Sequence, residues 1–464
     1  MFRLSAFILL CTAFLLTASP EAAAQKRTAT GVYHPTFERR WILIDSTLKN
    51  NWRSVSGHCG PGLTDSFVYS FWCNLQFYWD TYFTQLGLLK HGEIKLAEGG
   101  VNNLLHLADS LGFAPNANAE WGSNRSQPPY LSMMVKELYP YLQNKNWLKN
   151  AYRILLKEYQ FWTDTSIYAI ENHNTSIAGL QRYFHHATKN QLLELYHPEL
   201  TSRFAFSTTA DTADMLAIAS NYAAEAETGM DFTTRFEHRC PDFAAVDLNC
   251  NLYLYETNFE WMEKELGIEG GYAWAQKPAV RKALINKYCW NEKRGIYLDY
   301  DFVNKRHSNI AAATMLSPLY AGIASAQQSK RTVANLKMLE CGWGITSTQA
   351  ANEKFSFQWD HYSVWAPFQS LSIIALNNYG FKKEAKRIAS KYLNLVAANF
   401  EKPTPAFFIK NENGVETKVI RQYGKTYEKY TRDGKINDRE YNASVLAGWS
   451  AGAFAYAYFI VSQH

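Results

Sequence analysis

From residue 80 onward the chain repeats one pattern. Apolar side chains recur three and four positions apart, in stretch after stretch, and each stretch is closed by a polar or Gly/Pro-containing loop. That spacing places the apolar residues on one face of a helix. It predicts helices over 80–91, 93–111, 131–142, 147–163, 209–226, 249–266, 277–289, 311–326, 333–340, 362–379, 382–398 and 443–461. In 93–111, for example, Ala97, Val101, Leu104, Leu105, Ala108 and Leu111 share one stripe. In 443–461 the apolar residues run nearly all round, which predicts burial on two sides. Two stretches read as extended: 295–303, and 405–421 around an Asn-Glu-Asn-Gly turn. No repeated motif supports a superhelical array, and no low-complexity linker divides the chain. About a dozen helices, alternately buried and amphipathic, suit an all-α double ring. In such a ring the inner-helix ends and their loops form a cup.

The first residues read differently. Arg3 precedes an apolar run over 6–18, and Ala22-Ala23-Ala24-Gln25 supplies small residues after it. This is the pattern of a secretory signal peptide over 1–24, with an apolar core too short to span a bilayer. The expected product is a secreted or periplasmic protein with one domain over 25–464 and no membrane span. Beyond Cys11, six cysteines remain, of which Cys240 and Cys250 bracket a short loop and are the best pairing candidates. Free buried thiols are an equal alternative. No Cys or His spacing suggests a metal, and His185-His186 reads as an ordinary surface pair.

Composition narrows the function classes. Net charge is +5 over 464 residues with both signs interspersed, which disfavours a dedicated nucleic-acid binder. Aromatic residues reach 15%, and many stand beside Asp, Asn and Gln rather than in apolar runs. Four segments concentrate them: 77–82, 113–129, 227–236 and 357–367, with a weaker fifth from Glu440 to Trp449. A sugar offers apolar C–H faces to Trp and Tyr, and a hydroxyl rim to Asp, Asn, Gln and Arg. Trp79-Asp80 and Trp359-Asp360 repeat that pairing. Cleaving a glycosidic bond would further need two carboxyl groups, one protonated and one ionised. Composition alone does not choose that pair among 42 acidic residues.

The same segments carry a resemblance. Gln358-Trp359-Asp360-His361-Tyr362-Ser363-Val364-Trp365-Ala366-Pro367 resembles the second signature of the trehalases, glycoside hydrolase family 37, with Tyr362 in place of a Pro. Phe77–Tyr82 resembles the end of the first signature. Phe113–Asn116, Arg125–Pro129, Glu227–Phe236, Trp290–Asp301 and Glu440-Tyr441 with Trp449 match further family elements in order. The resemblance implies an (α/α)6 toroid and inverting hydrolysis of an α-glucoside, with no cofactor, no metal, a small carbohydrate as the partner and a monomeric chain. By motif position it implies Asp231 as general acid and Glu440 as general base. The substrate-binding residues it implies are Trp79, Asp80, Asn116, Arg125, Gln127, Glu194, Gly229, Gln358, Trp359, Asp360, Trp365 and Trp449.

The departures are as specific as the matches. Trp72 falls where the family's first signature has a substrate-binding Arg. Leu192-Leu193-Glu194-Leu195-Tyr196 is the counterpart of a second arginine element; it keeps the Glu and loses the Arg. Of three family arginines, Arg125 remains, and Arg439 replaces a Gly beside Glu440. A guanidinium fork is not replaced by Trp without changing which hydroxyls are read, so altered specificity is expected: weak or no action on trehalose, with another α-glucoside as the alternative substrate. The alternative is a sugar-binding relative that kept the cup and lost turnover. A polysaccharide lyase would need a uronate-binding Arg cluster, which the lost arginines disfavour.

Overall fold

The computed structural model describes residues 37–57, 60–69, 75–164, 172–204, 206–268, 274–351, 357–402, 408–410, 416–418, 424–439, 443 and 448–463. The expectations for the signal peptide, Cys59, Trp72, Cys73 and Glu440 lie outside these residues.

Twelve helices of nine residues or more are found among them: α1 (Phe37–Asn51), α2 (Tyr78–His91), α3 (Ile94–Leu111), α4 (Leu131–Leu142), α5 (Lys145–Thr163), α6 (Thr212–Glu227), α7 (Val246–Leu266), α8 (Lys277–Tyr288), α9 (Ala326–Ala334), α10 (Ala366–Asn378), α11 (Lys382–Phe400) and α12 (Gly448–Ser462). Helix α1 was hidden from the periodicity reading because Trp41-Ile42-Leu43-Ile44 is a continuous apolar run. The fold buries Ile44 and Leu48 and leaves Ile42 and Leu43 exposed.

The expected helices over 311–326 and 333–340 are replaced by a broken path. A 3-10 turn (Ala313–Leu316) leads into the short helix Ser317–Tyr320, and Gly322 at φ 73° follows it. Ser325 then caps a new helix, accepting from Gln328 N–H while the Gln328 side chain accepts from Ser325 N–H, so α9 occupies the gap expected between the two helices. Glu340 ends up in a two-residue strand. The helix expected from residue 362 starts at Ala366, with Pro367 in its first turn; the residues before it form the strand Ser363–Trp365.

Strands are short and serve the loops. Ser363–Trp365 pairs antiparallel with Lys429–Thr431, setting Trp365 opposite Lys429. Phe243–Ala244, Tyr300–Asp301 and Arg306–His307 form a three-stranded patch. Phe408–Lys410 pairs with Glu416–Lys418, as expected of a hairpin.

Helix α3 packs on α2, α4 and α5, α7 on α4, α5 and α8, and α11 on α10 and α12; α12 returns to lie against α2 and α1, which closes the ring. The α2–α12 contact depends on two glycines. A Cβ on Gly87 would come 2.6 Å from Gly452 Cα, and one on Gly452 would collide with the Phe83 carbonyl oxygen. The backbones therefore touch where side chains would otherwise hold them apart. Helix α12 is buried nearly all round, as its sequence predicted. No helix among the described residues is long and apolar enough to cross a membrane.

The Cys240–Cys250 pairing is corrected. Both are free, fully buried thiols: Cys240 sits in a 3-10 turn and Cys250 inside α7. Burial pushes both thiols well above the usual range, which keeps them protonated.

Candidate active site

The site begins at the head of α2. Phe77 is extended, and the helix opens with Tyr78-Trp79-Asp80. Trp79 N–H donates to Gln127 Oε1 at 3.1 Å. Tyr78 N–H donates to the Asn116 carbonyl at 3.2 Å, and Asn116 N–H to the Arg125 carbonyl at 2.9 Å. Two segments far apart in sequence are thus woven into one wall holding Trp79, Asp80, Asn116, Arg125 and Gln127.

The tryptophans gather behind that wall. Trp359 stacks on Trp365 with centroids 3.8 Å apart and planes 8° apart. Trp79 lies 5.5 Å from Trp359, and Trp449 meets Trp79, Trp359 and Trp365 edge-on at 6.0, 6.2 and 5.6 Å. All four are at most 5% exposed, so much of each ring is taken up by another ring. Trp365 Nε1–H donates to the Gln358 carbonyl at 2.9 Å, and Trp449 Nε1–H to the Glu428 carbonyl at 3.2 Å. Trp359 Nε1–H is buried with no partner among the described residues.

Asp231 hangs from the loop after α6. Gly229 takes φ 71°, and a Cβ there would stand 2.6 Å from the Trp79 ring. Only glycine lets the Asp231 loop lie flat on that indole. Phe232, just after Asp231, is held at φ 61°, an uncommon conformation for a bulky residue. It is fixed from both sides: Trp359 N–H donates to the Phe232 carbonyl at 3.2 Å, and Thr233 Oγ1–H donates to the Trp359 carbonyl at 2.9 Å. The Gln358 amide donates to Asp231 Oδ2.

Asp231 keeps some accessible surface, yet protein atoms crowd it enough that burial raises its pKa. Its own N–H and the cations Arg125, Arg203 and Lys429 oppose that rise. Glu227, fully buried at the end of α6, ties the Asp231 loop to the wall: its carboxylate accepts from Ser126 N–H, Phe184 N–H and His173 Nε2, each at 2.9 Å.

Asp360 is completely buried and its pKa is pushed up to about 6, chiefly by burial, against Tyr362 N–H and Arg439. Glu194 lies exposed on the short helix Lys189–Glu194, and no described contact joins it to Asp231. The surface-pair reading of His185-His186 is corrected. His185 is buried, bonded to Ser220 Oγ at 2.8 Å, and burial pulls its pKa to about 4. His186 bonds the Ser123 carbonyl at 2.8 Å.

Two cations were not picked out from the sequence. Arg203 comes from a short helix, Thr201–Phe204, with its guanidinium 4.5 Å over the Phe232 ring and paired with Glu199. Lys429 is fully buried, 5.6 Å from the Trp365 ring, and burial pulls its pKa to about 8. The available signal for Lys429 was a lysine centred in an aromatic run, Tyr427–Thr431; Arg203 had none.

Comparison with known proteins decides the family. The family model described as Trehalase matches residues 74–458. The chain belongs to the trehalase family. Among its trehalase relatives is the periplasmic trehalase of Xanthomonas campestris pv. campestris (strain B100), 31% identical over 363 residues, covering 75% of this chain and 60% of that one. The cytosolic neutral trehalase of Neurospora crassa is 27% identical over 444 residues, covering 83% and 57%. The chain therefore spans about 60% of the length of these curated trehalases. Among solved structures, the neutral trehalase of Saccharomyces cerevisiae aligns with a TM-score of 0.68 at 22% identity, covering 90% of this chain and 80% of that one. A mannosylglycerate hydrolase of family GH63 from Thermus thermophilus, in complex with glucose, aligns at 0.56 with 14% identity, covering 90% and 100%. These neighbours establish the (α/α)6 toroid for the trehalase-family chain described above.

Proposed function

We propose that this chain is an inverting glycoside hydrolase that cleaves α,α-trehalose or a related α-linked glucoside to glucose. The observation that carries the reading is Asp231: a carboxyl of raised pKa that accepts from the Gln358 amide, on a loop whose Gly229 lies against the Trp79 indole. A carboxyl held protonated can donate to the glycosidic oxygen as the C–O bond breaks. Glu440 is the proposed general base: it takes a proton from a water that attacks the anomeric carbon from the opposite face, and the configuration inverts. Asp80, Asn116, Asp360 and the Arg125 guanidinium supply hydroxyl partners, and Glu194 is proposed among them on motif position. Export with removal of residues 1–24 is part of the proposal. Periplasmic and cytosolic trehalases both occur among the relatives, so mass analysis of the mature chain from fractionated cells tests it, with Gln25 expected near the new N-terminus.

The test of catalysis is a panel of α-linked glucose disaccharides followed by NMR. The expected first product is β-glucose, released most rapidly from one α-linked disaccharide. Initial release of α-glucose overturns inversion. The arginines absent at Trp72 and Leu192 favour a second reading, a sugar-binding relative without turnover. In that case wild type and Asp231→Asn bind a disaccharide equally and neither cleaves it; a wild type that cleaves while Asp231→Asn does not removes this reading.

A further inference from the structure

Gln358 sits where two loops are sewn together. Trp359 N–H donates to the Phe232 carbonyl and Thr233 Oγ1–H to the Trp359 carbonyl, and Thr233 and Trp359 pair as a parallel bridge. The Gln358 carbonyl accepts Trp365 Nε1–H at 2.9 Å, and the Trp365 ring is stacked on Trp359. Gln358 is 6% exposed. Its backbone is thus fixed on both sides, and its side-chain amide N–H is directed at Asp231 Oδ2.

The two oxygens of Asp231 are therefore not equivalent. Oδ2 faces an amide nitrogen, which donates and cannot accept. A proton on Oδ2 would point at another donor. Oδ1 takes no side-chain hydrogen bond among the described residues, and Asp231 keeps accessible surface.

We infer that Gln358 is a positioning residue that fixes the Asp231 proton on Oδ1, the oxygen left free of side-chain partners. This rests on the reading of Asp231 as general acid. In the acid step the Oδ1–H bond breaks and the proton passes to the glycosidic oxygen. The bonding pair stays on Asp231 as the anomeric C–O bond cleaves. Water supplies the new oxygen on the anomeric carbon, and its proton goes to the general base. Asp231 becomes a carboxylate during this step, and a hydrogen bond to an ionised group is stronger than one to a neutral group. The Gln358 N–H bond therefore tightens as the charge develops, which favours the transition state over the bound ground state. The resemblance implies a sugar-binding role for Gln358; its bond to Asp231 gives it this further one. Four other charged or titratable groups act on Asp231 or are acted on by it: Arg125, Arg203, Lys429 and the buried Glu225, which accepts Thr233 N–H at 3.1 Å. All four are kept in the variants that follow.

The first test reads the Asp231 proton without turnover. The infrared band of the Asp231 carboxyl, assigned by its loss in D231N, is titrated with pH in wild type and in Q358M. Methionine keeps the length and removes the amide. A donor to the carboxylate favours the ionised form, so its removal is expected to move the midpoint to higher pH. Were Gln358 to accept a proton held on Oδ2, its removal would move the midpoint down. A lowered or unmoved midpoint therefore overturns the inference.

The second test varies the leaving group. Q358M is expected to lower kcat on an α-linked disaccharide roughly 10- to 100-fold with KM little changed. On 4-nitrophenyl α-glucoside the loss should stay below about 3-fold, because a phenolate departs with little help from an acid. Equal losses on both substrates are what a merely structural role gives, and they overturn the inference. If Q358M fails to fold, as judged by its melting curve, Q358L carries both readouts. A wild type that cleaves no α-glucoside refutes hydrolysis, and the infrared midpoint still decides where the proton sits.

Discussion

At the residue scale, the site is a contest between burial and charge around Asp231. Burial raises its pKa, and Arg125, Arg203 and Lys429 pull it back. Removing a cation removes support for the carboxylate, so Lys429→Met is expected to raise the Asp231 pKa further. The alkaline limb of the kcat/KM profile then moves to higher pH; an unmoved or lowered limb contradicts the role. Asp360 allows a second prediction, on stability. Its folded pKa is pushed up to about 6 from 3.8, so the folded state holds the proton more tightly than the unfolded one. Wild type is then penalised progressively as pH rises from about 4 to about 6, by at most about 3 kcal/mol. Asp360→Asn carries no such penalty. Its melting temperature relative to wild type should climb between pH 4 and 7. The Trp-Asp pairs and the Asp231 loop were legible because each is a local string. Arg203, Lys429 and the Gln358–Asp231 bond were not, since each contact joins segments whose proximity only the fold creates.

At the element scale, most helices were legible from their stripes, and the failures have local causes. The 311–340 region kept an apolar spacing, but Gly322 and the Ser325 cap cut it into pieces. Capping outweighs periodicity over so short a span. Loop glycines carry as much as the helices do. Gly229→Ala is expected to lower activity at least about 100-fold with a modest change in melting temperature, because its Cβ would drive the Trp79 ring and the Asp231 loop apart. Activity near wild type would show that the loop has another way to pass the indole. Gly452→Ala acts on the scaffold instead. Forcing α12 off α2 should destabilise the fold by about 2–3 kcal/mol in denaturant unfolding; a neutral result contradicts the close crossing.

At the scale of the whole molecule, the number of helices and the lack of a linker pointed to one closed ring. What they did not reveal is how the ring is braced. Arg235, four residues after Asp231, is completely buried and clamps Asp299 at 2.7 and 2.8 Å and Asp247 at 3.1 Å, while Asp299 also accepts Val246 N–H at 2.9 Å. The Asp231 loop, the start of α7 and the strand region are thereby one ionic unit. Arg235→Met would strand two buried carboxylates and is expected to cost about 3–5 kcal/mol, read as a lowered denaturation midpoint. The α2–α12 crossing has a further consequence. Helix α12 closes a gap that opens hundreds of residues earlier, so no nascent chain lacking residues 448–463 can complete the circle. Trp449, at the head of that helix, is also part of the tryptophan cluster. The segment that shuts the scaffold and the segment that completes the tryptophan cluster are the same one, so a half-made ring has no finished version of the proposed site.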